Sequence, residues 1–257
     1  PEGYKLYVEP ISTDAGTAVG MAMYNHYMIS KSHDINPLKS LYLGPPREYN
    51  SPSDSYSAEV SDVVDVIQKG KAVALFQGRS EQGPRALGNR SLLFDPTIPD
   101  ARRQVNKIKY REYFRPFAAT VLAEHVHEWF DLRGMDETPF MMYAVNVLDH
   151  QRDKISGVIH VDNTCRIQTI TKEQNENYYN IIDEFYKRTG VPMLFNTSLN
   201  LSGDTMAETI DDALYILDNS DVDFLYLAEY NKMVKRETNS TKFAKGHIDI
   251  SKSLTKY

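Results

Sequence analysis

The sequence predicts an α/β fold, and three observations carry that reading. A chain of 257 residues with 41% apolar content is long enough to bury a sizeable core. From residue 58 to 227, short apolar runs alternate with segments of helical periodicity. Glycines such as Gly70 and Gly190 close the helical segments, where a left-handed backbone is needed. This alternation sets helices against a sheet and leaves strand order and polarity open.

The elements follow in order. Residues 14–30 (DAGTAVGMAMYNHYMIS) read as one packed helix with Asp14 as its N-cap. Prolines, serines and a glycine then break every period, so residues 30–57 read as a linker or long surface loop. Residues 58–70 form an amphipathic helix capped by Ser57, and KAVALFQ (71–77) is a buried strand. SLLFDP (91–96) and RPFAATVL (115–122) are strands with a helix, RRQVNKIKY, between them. CRIQTI (165–170), VPMLFN (191–196) and VDFLYL (222–227) are strands, and ENYYNIIDEFYKRTG and TIDDALYILDNS are helices. Residues 231–257, with seven basic and two acidic side chains, read as a solvated basic tail.

Composition narrows the function. Twenty-nine basic against 35 acidic residues give a formal charge of -6, which argues against a protein that grips nucleic acid through its overall potential. No run approaches the roughly 18 apolar residues of a membrane span. A single cysteine fits a reducing compartment, so a cytoplasmic protein with no membrane or nucleic-acid partner is expected.

Against that acidic background, residues 79–115 carry nine basic side chains and four acidic ones. Glycines and a proline let EQGPRALGN turn sharply and expose N–H groups, while arginine forks match phosphate or carboxylate oxygens two at a time. An anion site is expected, with a basic surface patch as the bland alternative. Lys109, Arg111 and Arg115 precede a strand, where alternate residues of an extended segment face one cleft. Asn196, Ser198 and Asn200 repeat that spacing of two at the end of another strand, with turn formation as the alternative.

Four ordered stretches carry a resemblance: QGRSEQGPRALGNRSLLFDP, VNKIKYREYFRPFAATV, CRIQTI and VPMLFNTSLNLSGD. They resemble the C-terminal half of the NodU/CmcH-type O-carbamoyltransferases over residues 58–227, and STDAGTAVGMAMY is similar to the last helix of that family's actin-like N-terminal domain. The resemblance implies residues 1–50 as the end of the actin-like domain and a linker, 51–230 as a YrdC-like domain with a mixed sheet, and 231–257 as the tail. It also implies a fragment of a longer protein or one product of a split gene. The implied chemistry turns carbamoyl phosphate and ATP, with Mg2+, into carbamoyl adenylate, whose carbamoyl group passes to a hydroxyl acceptor at the actin-like domain or a separate actin-like subunit.

By the same resemblance, Lys109, Arg115, Arg166 and Ser198 carry the reaction, and Arg85, Arg111, Asn196 and Asn200 hold substrate and nucleotide. Lys109 and Arg111 form the K-x-R of YrdC-like domains, and Ser198 and Asn200 their S-x-N. Asp14 matches a ligand of the Fe2+ or Mn2+ of the actin-like site, complete only with a partner domain; the family's H-x-x-x-H is absent. Tyr113, Leu199 and the sequence GDT depart from the family pattern and change loop shape rather than ligand contacts. His125 and His127 read as surface residues, and Cys165 as a buried hydrophobe. His160 lies before Arg166, with a structural role as its alternative. Two other functions remain open: a threonylcarbamoyl-adenylate enzyme of tRNA modification, and a non-catalytic nucleotide-binding or assembly module.

Overall fold

A computed structural model describes residues 7–34 and 38–237. It shows a mixed α/β architecture, a ten-stranded sheet with flanking helices. Helix α1 (Asp14–Ser30) comes first, then β1 (Tyr56–Ser57), α2 (Val60–Gln68), β2 (Val73–Phe76), β3 (Arg90–Phe94), α3 (Ala101–Ile108) and β4 (Ala118–Leu122). A short helix α4 (Val126–Trp129) leads to β5 (Phe130–Asp131), β6 (Ala144–Val147) and β7 (Thr164–Ile170). Helix α5 (Glu176–Thr189), β8 (Met193–Ser198), α6 (Ile210–Asp218), β9 (Phe224–Leu227) and β10 (Lys232–Lys235) complete the order.

The strands lie in the order β1-β10-β9-β2-β3-β8-β4-β7-β6-β5. Only the β2–β9 and β4–β7 pairs are parallel. The central strands β2, β3 and β4 are buried along their whole length, which is why VALF and AATVL read as continuous rather than alternating runs. Phe94, Phe117 and Phe195 interlock in that core. Gly190 closes α5 at φ 73°, and Thr209 with Asp212 forms a reciprocal capping box on α6.

Several local expectations are corrected. Thr13, not Asp14, caps α1; Asp14 is its first helical residue. No residue of α1 is buried, so it is not the packed helix its apolar spacing suggested. Glu59 and Asp62 cap α2, because Ser57 is held in β1. Residues 232–235 of the supposed tail form β10, since Asn231 takes a left-handed turn that folds the chain back onto β9; residues 238–257 lie outside the described residues. The segment 38–55 has no helix or strand, yet it packs on the domain through buried Leu41 and through Tyr49, whose ring meets Phe76 edge-on. Among the described residues, no helix is long and apolar enough to cross a membrane.

Candidate functional site

One end of the sheet gathers the predicted residues. Here β3, β4 and β7 begin and β8 ends: Ser91 pairs with Ser198, and Ala118 stands between Asn196 and Arg166. Directly paired residues share a face, so Arg166, Asn196 and, two places on, Ser198 point to the same side.

Lys109 is the centre of one group. It is the C-cap of α3 and only 1% exposed. Its ammonium nitrogen contacts the Ser198 carbonyl, donates to Asn200 Oδ1 at 2.8 Å, and lies 3.4 Å from Ser198 Oγ. The Ser198 hydroxyl donates to Asn200 Oδ1 at 2.6 Å. The K-x-R and S-x-N segments therefore meet through Lys109, Ser198 and Asn200. No carboxylate among the described residues joins them, and burial followed by the Arg111 charge holds the Lys109 ammonium well below the usual lysine range.

The route to this meeting differs from the expected one. Residues 109–115 are not an extended segment: Tyr110 has φ 53°, and the chain turns twice before β4. Lys109 consequently points inward, Arg111 lies over the Phe117 ring at 4.9 Å, and Arg115 stays exposed in an ion pair with Glu112 at 2.7 Å.

The loop 77–90 supplies a second surprise. Four of its N–H groups, those of residues 87–90, are already taken by side chains of the protein. Glu81 Oε1 accepts from Leu87 N at 2.7 Å, Asn89 N at 2.8 Å and Arg90 N at 3.3 Å, and Ser91 Oγ accepts from Gly88 N. Nor are all its arginines available. Arg90 is fully buried on the Phe76 ring, donating to the carbonyls of Gln77, Gly78, Asn89 and Glu208. Arg79 donates to the carbonyls of Leu43 and Gly44. Only Arg85 remains, half-buried, with its Nε lacking an acceptor. Desolvation, then the neighbouring Arg166 charge, lowers its pKa.

Asn196 is almost wholly buried beneath this loop. Its amide nitrogen donates to Thr120 Oγ1 at 2.9 Å and to the Ala86 carbonyl at 3.1 Å. Gln168 completes the layer by donating to the Leu87 carbonyl. Asn196 thus supports the loop from below, while Asn200, past the end of β8, serves Lys109. Glu81, Arg90, Thr120 and Gln168 were missed in the sequence. The available signal was a lone acid among glycines and arginines in GRSEQGPR.

His160 donates from Nε2 to the Phe117 carbonyl at 2.9 Å, with Nδ1 against Thr164 Oγ1, a structural tie at the start of β4. His125 meets Glu128 at the surface, and Cys165 is buried, its thiol pushed up to about 12 by desolvation. Asp14 is exposed on α1, and among the described residues no group of three His, Cys, Asp or Glu comes together to hold a metal ion. Asp14 therefore has no co-ligands for a metal among the described residues. Beyond the ends of β2 and β9 lie two recesses, of about 620 and 210 Å3, lined by Tyr49 and Tyr230 and by Gln77 and Asn175 respectively.

The arrangement has one dominant electrostatic character. The guanidinium groups of Arg85, Arg111 and Arg166 are half-buried and have no carboxylate partner among the described residues. Arg111 is depressed by desolvation and by Arg115, as Arg85 is by burial and Arg166. Cations that lower one another's pKa and lack an ion-pair partner have the chemistry to take up a polyanion.

Residues 64–235 match the family model described as "Carbamoyltransferase C-terminus". The nodulation protein NolNO of Sinorhizobium fredii is 35% identical over 91% of this chain, and NolO of Bradyrhizobium diazoefficiens 33% identical over 88%. The chain spans 36% and 44% of their lengths. The solved structure of HypF from T. kodakarensis overlaps 63% of this chain and 21% of its own, at a TM-score of 0.44 and 14% identity.

Proposed function

Since the chain belongs to the carbamoyltransferase C-terminal family, we propose that it forms carbamoyl adenylate from carbamoyl phosphate and ATP: water releases phosphate from carbamoyl phosphate, and the carbamate oxygen displaces pyrophosphate at the α-phosphorus of ATP. The observation that carries this reading is the set of half-buried guanidinium groups, Arg85, Arg111 and Arg166, with no ion-pair partner among the described residues, together with the buried Lys109. Two polyanionic substrates repel each other in water, and a preorganised cation cluster offsets that repulsion without reorganising as charge shifts between phosphates. In this reading Arg85, Arg166, Lys109 and Arg111 bind the phosphate oxygens, with Ser198 and Asn200 aiming the lysine. No side chain here acts as a covalent nucleophile. Magnesium enters with ATP as part of the substrate.

Transfer of the carbamoyl group to a hydroxyl acceptor belongs to an actin-like domain or subunit, of which α1 is the last helix in this reading. Asp14 would contribute to that partner's Fe2+ or Mn2+ site. The protein is read as cytoplasmic.

The test is pyrophosphate release by the purified chain given ATP, magnesium and carbamoyl phosphate, with each omitted in turn. Release that depends on carbamoyl phosphate is expected. Release only with threonine and bicarbonate would point to the tRNA-modifying chemistry, and nucleotide binding without release to a binding module.

A further inference from the structure

Glu81 is a costly residue for the fold. The residue is only 6% exposed, and Oε2 is enclosed with no hydrogen-bond partner. No ion pair compensates it among the described residues, and burial raises its pKa against the opposing pull of its backbone donors and the Arg90 charge. A buried carboxyl group of this kind lowers stability unless something else is gained.

What it gains is the shape of the segment that carries Arg85. Glu81 Oε1 gathers the N–H groups of Leu87, Asn89 and Arg90, the residues two, four and five places after Arg85. The carbonyls of the same stretch are held from outside: Ala86 by Asn196, Leu87 by Tyr42 and Gln168, Gly88 by Gln77. Arg85 has no such tether, because its side chain makes no hydrogen bond or ion pair among the described residues, and Pro84 before it lacks an N–H. Its guanidinium feels the Arg166 charge, and no hydrogen bond or ion pair of its own among the described residues offsets that repulsion.

We propose that Glu81 is a positioning residue for Arg85, fixing the guanidinium in the anion site by holding the backbone of residues 87–90. This deepens the carbamoyl-adenylate reading and rests on Arg85 belonging to the site. The carboxylate touches no substrate.

The experiment measures dissociation constants for MgATP and for carbamoyl phosphate by calorimetry on the full chain, in wild type, Glu81→Gln, Arg85→Met and the double variant. Arg85→Met weakens at least one of the two ligands. Glu81→Gln then weakens that same ligand by about tenfold, the scale of a small misplacement of a binding group, and adds nothing on the Arg85→Met background. In contrast, its effect adds fully to that of Arg111→Met. Glu81→Asp, which keeps the charge on a shorter stem, restores part of the affinity and serves as the readout if Glu81→Gln does not fold. Affinities within twofold of wild type in folded Glu81→Gln, or a loss that adds fully to that of Arg85→Met, overturn the positioning role. Arg85→Met without effect on either ligand removes Arg85 from the site instead, and with it the premise.

Discussion

Replacing Arg85 by methionine separates two kinds of arginine that look alike in the sequence. Arg85 has an enclosed Nε with no acceptor and a guanidinium pressed toward Arg166. An enclosed donor left unpaired costs about 1–3 kcal/mol. Part of the Arg85 side chain remains in water, so the low end applies, and Arg85→Met is expected to raise stability by about 1 kcal/mol. Ligand binding moves the opposite way: a charge-assisted hydrogen bond contributes about 1.5–3 kcal/mol, or a tenfold to hundredfold loss of affinity. Arg90→Met inverts the pattern. It strips the donors from four backbone carbonyls and empties the space on Phe76, for a loss of about 3–4 kcal/mol. Urea midpoints at constant m-value, paired with calorimetric titration of carbamoyl phosphate and MgATP, read both quantities. If Arg85→Met destabilises as much as Arg90→Met while binding is kept, the argument from the unpaired cation is wrong.

Three other outcomes follow from the same geometry. Gly88→Ala forces a side chain onto a residue at φ 117° and sets its Cβ 2.2 Å from the Tyr178 ring, so about 3–4 kcal/mol of stability is lost in urea titration; a loss under 1 kcal/mol would show that the loop relaxes freely. The Lys109 ammonium has its pKa lowered in the fold, so the unfolded chain binds more protons and Lys109's contribution to stability rises with pH between the lowered value and about 10.4. A polyanion favours the protonated form, and ATP affinity is expected to fall as pH rises through that window in wild type but not in Lys109→Arg; parallel profiles would exclude a neutral resting lysine. Glu112 competes with the ligand for Arg115, so Glu112→Gln should tighten MgATP or carbamoyl phosphate binding by about twofold to fivefold, the scale of an exposed ion pair, and no change in titrations of both would place Arg115 outside the site.

The helices of residues 176–189 and 210–218 were legible because their caps and apolar spacing are local properties. Strand β10 was not, because KMVK has no period of its own and is recruited by the left-handed turn at Asn231. Strands β5 and β6 escaped for a similar reason: they are short and held at the sheet edge by pairing with each other and with β7. In the site, residue types and their clustering were legible, but their division of labour was not. Arg79, Arg85 and Arg90 stand in one motif, yet the first ties residues 43–44, the last caps loop carbonyls, and only Arg85 is left for an anion.

By itself the sequence determined that helices and strands alternate, that positive charge gathers in residues 79–115 of an acidic chain, and that four ordered stretches resemble one family. Those are properties of composition and spacing, which survive without a fold. The tertiary structure decided that Lys109 turns inward to Ser198 and Asn200. It also placed Glu81, rather than a ligand, among the N–H groups of residues 87–90, and brought Arg85 within reach of the Arg166 charge. Each of these joins residues through a turn or a strand pairing, and a buried polar group takes whichever partner the packed backbone brings within hydrogen-bond reach.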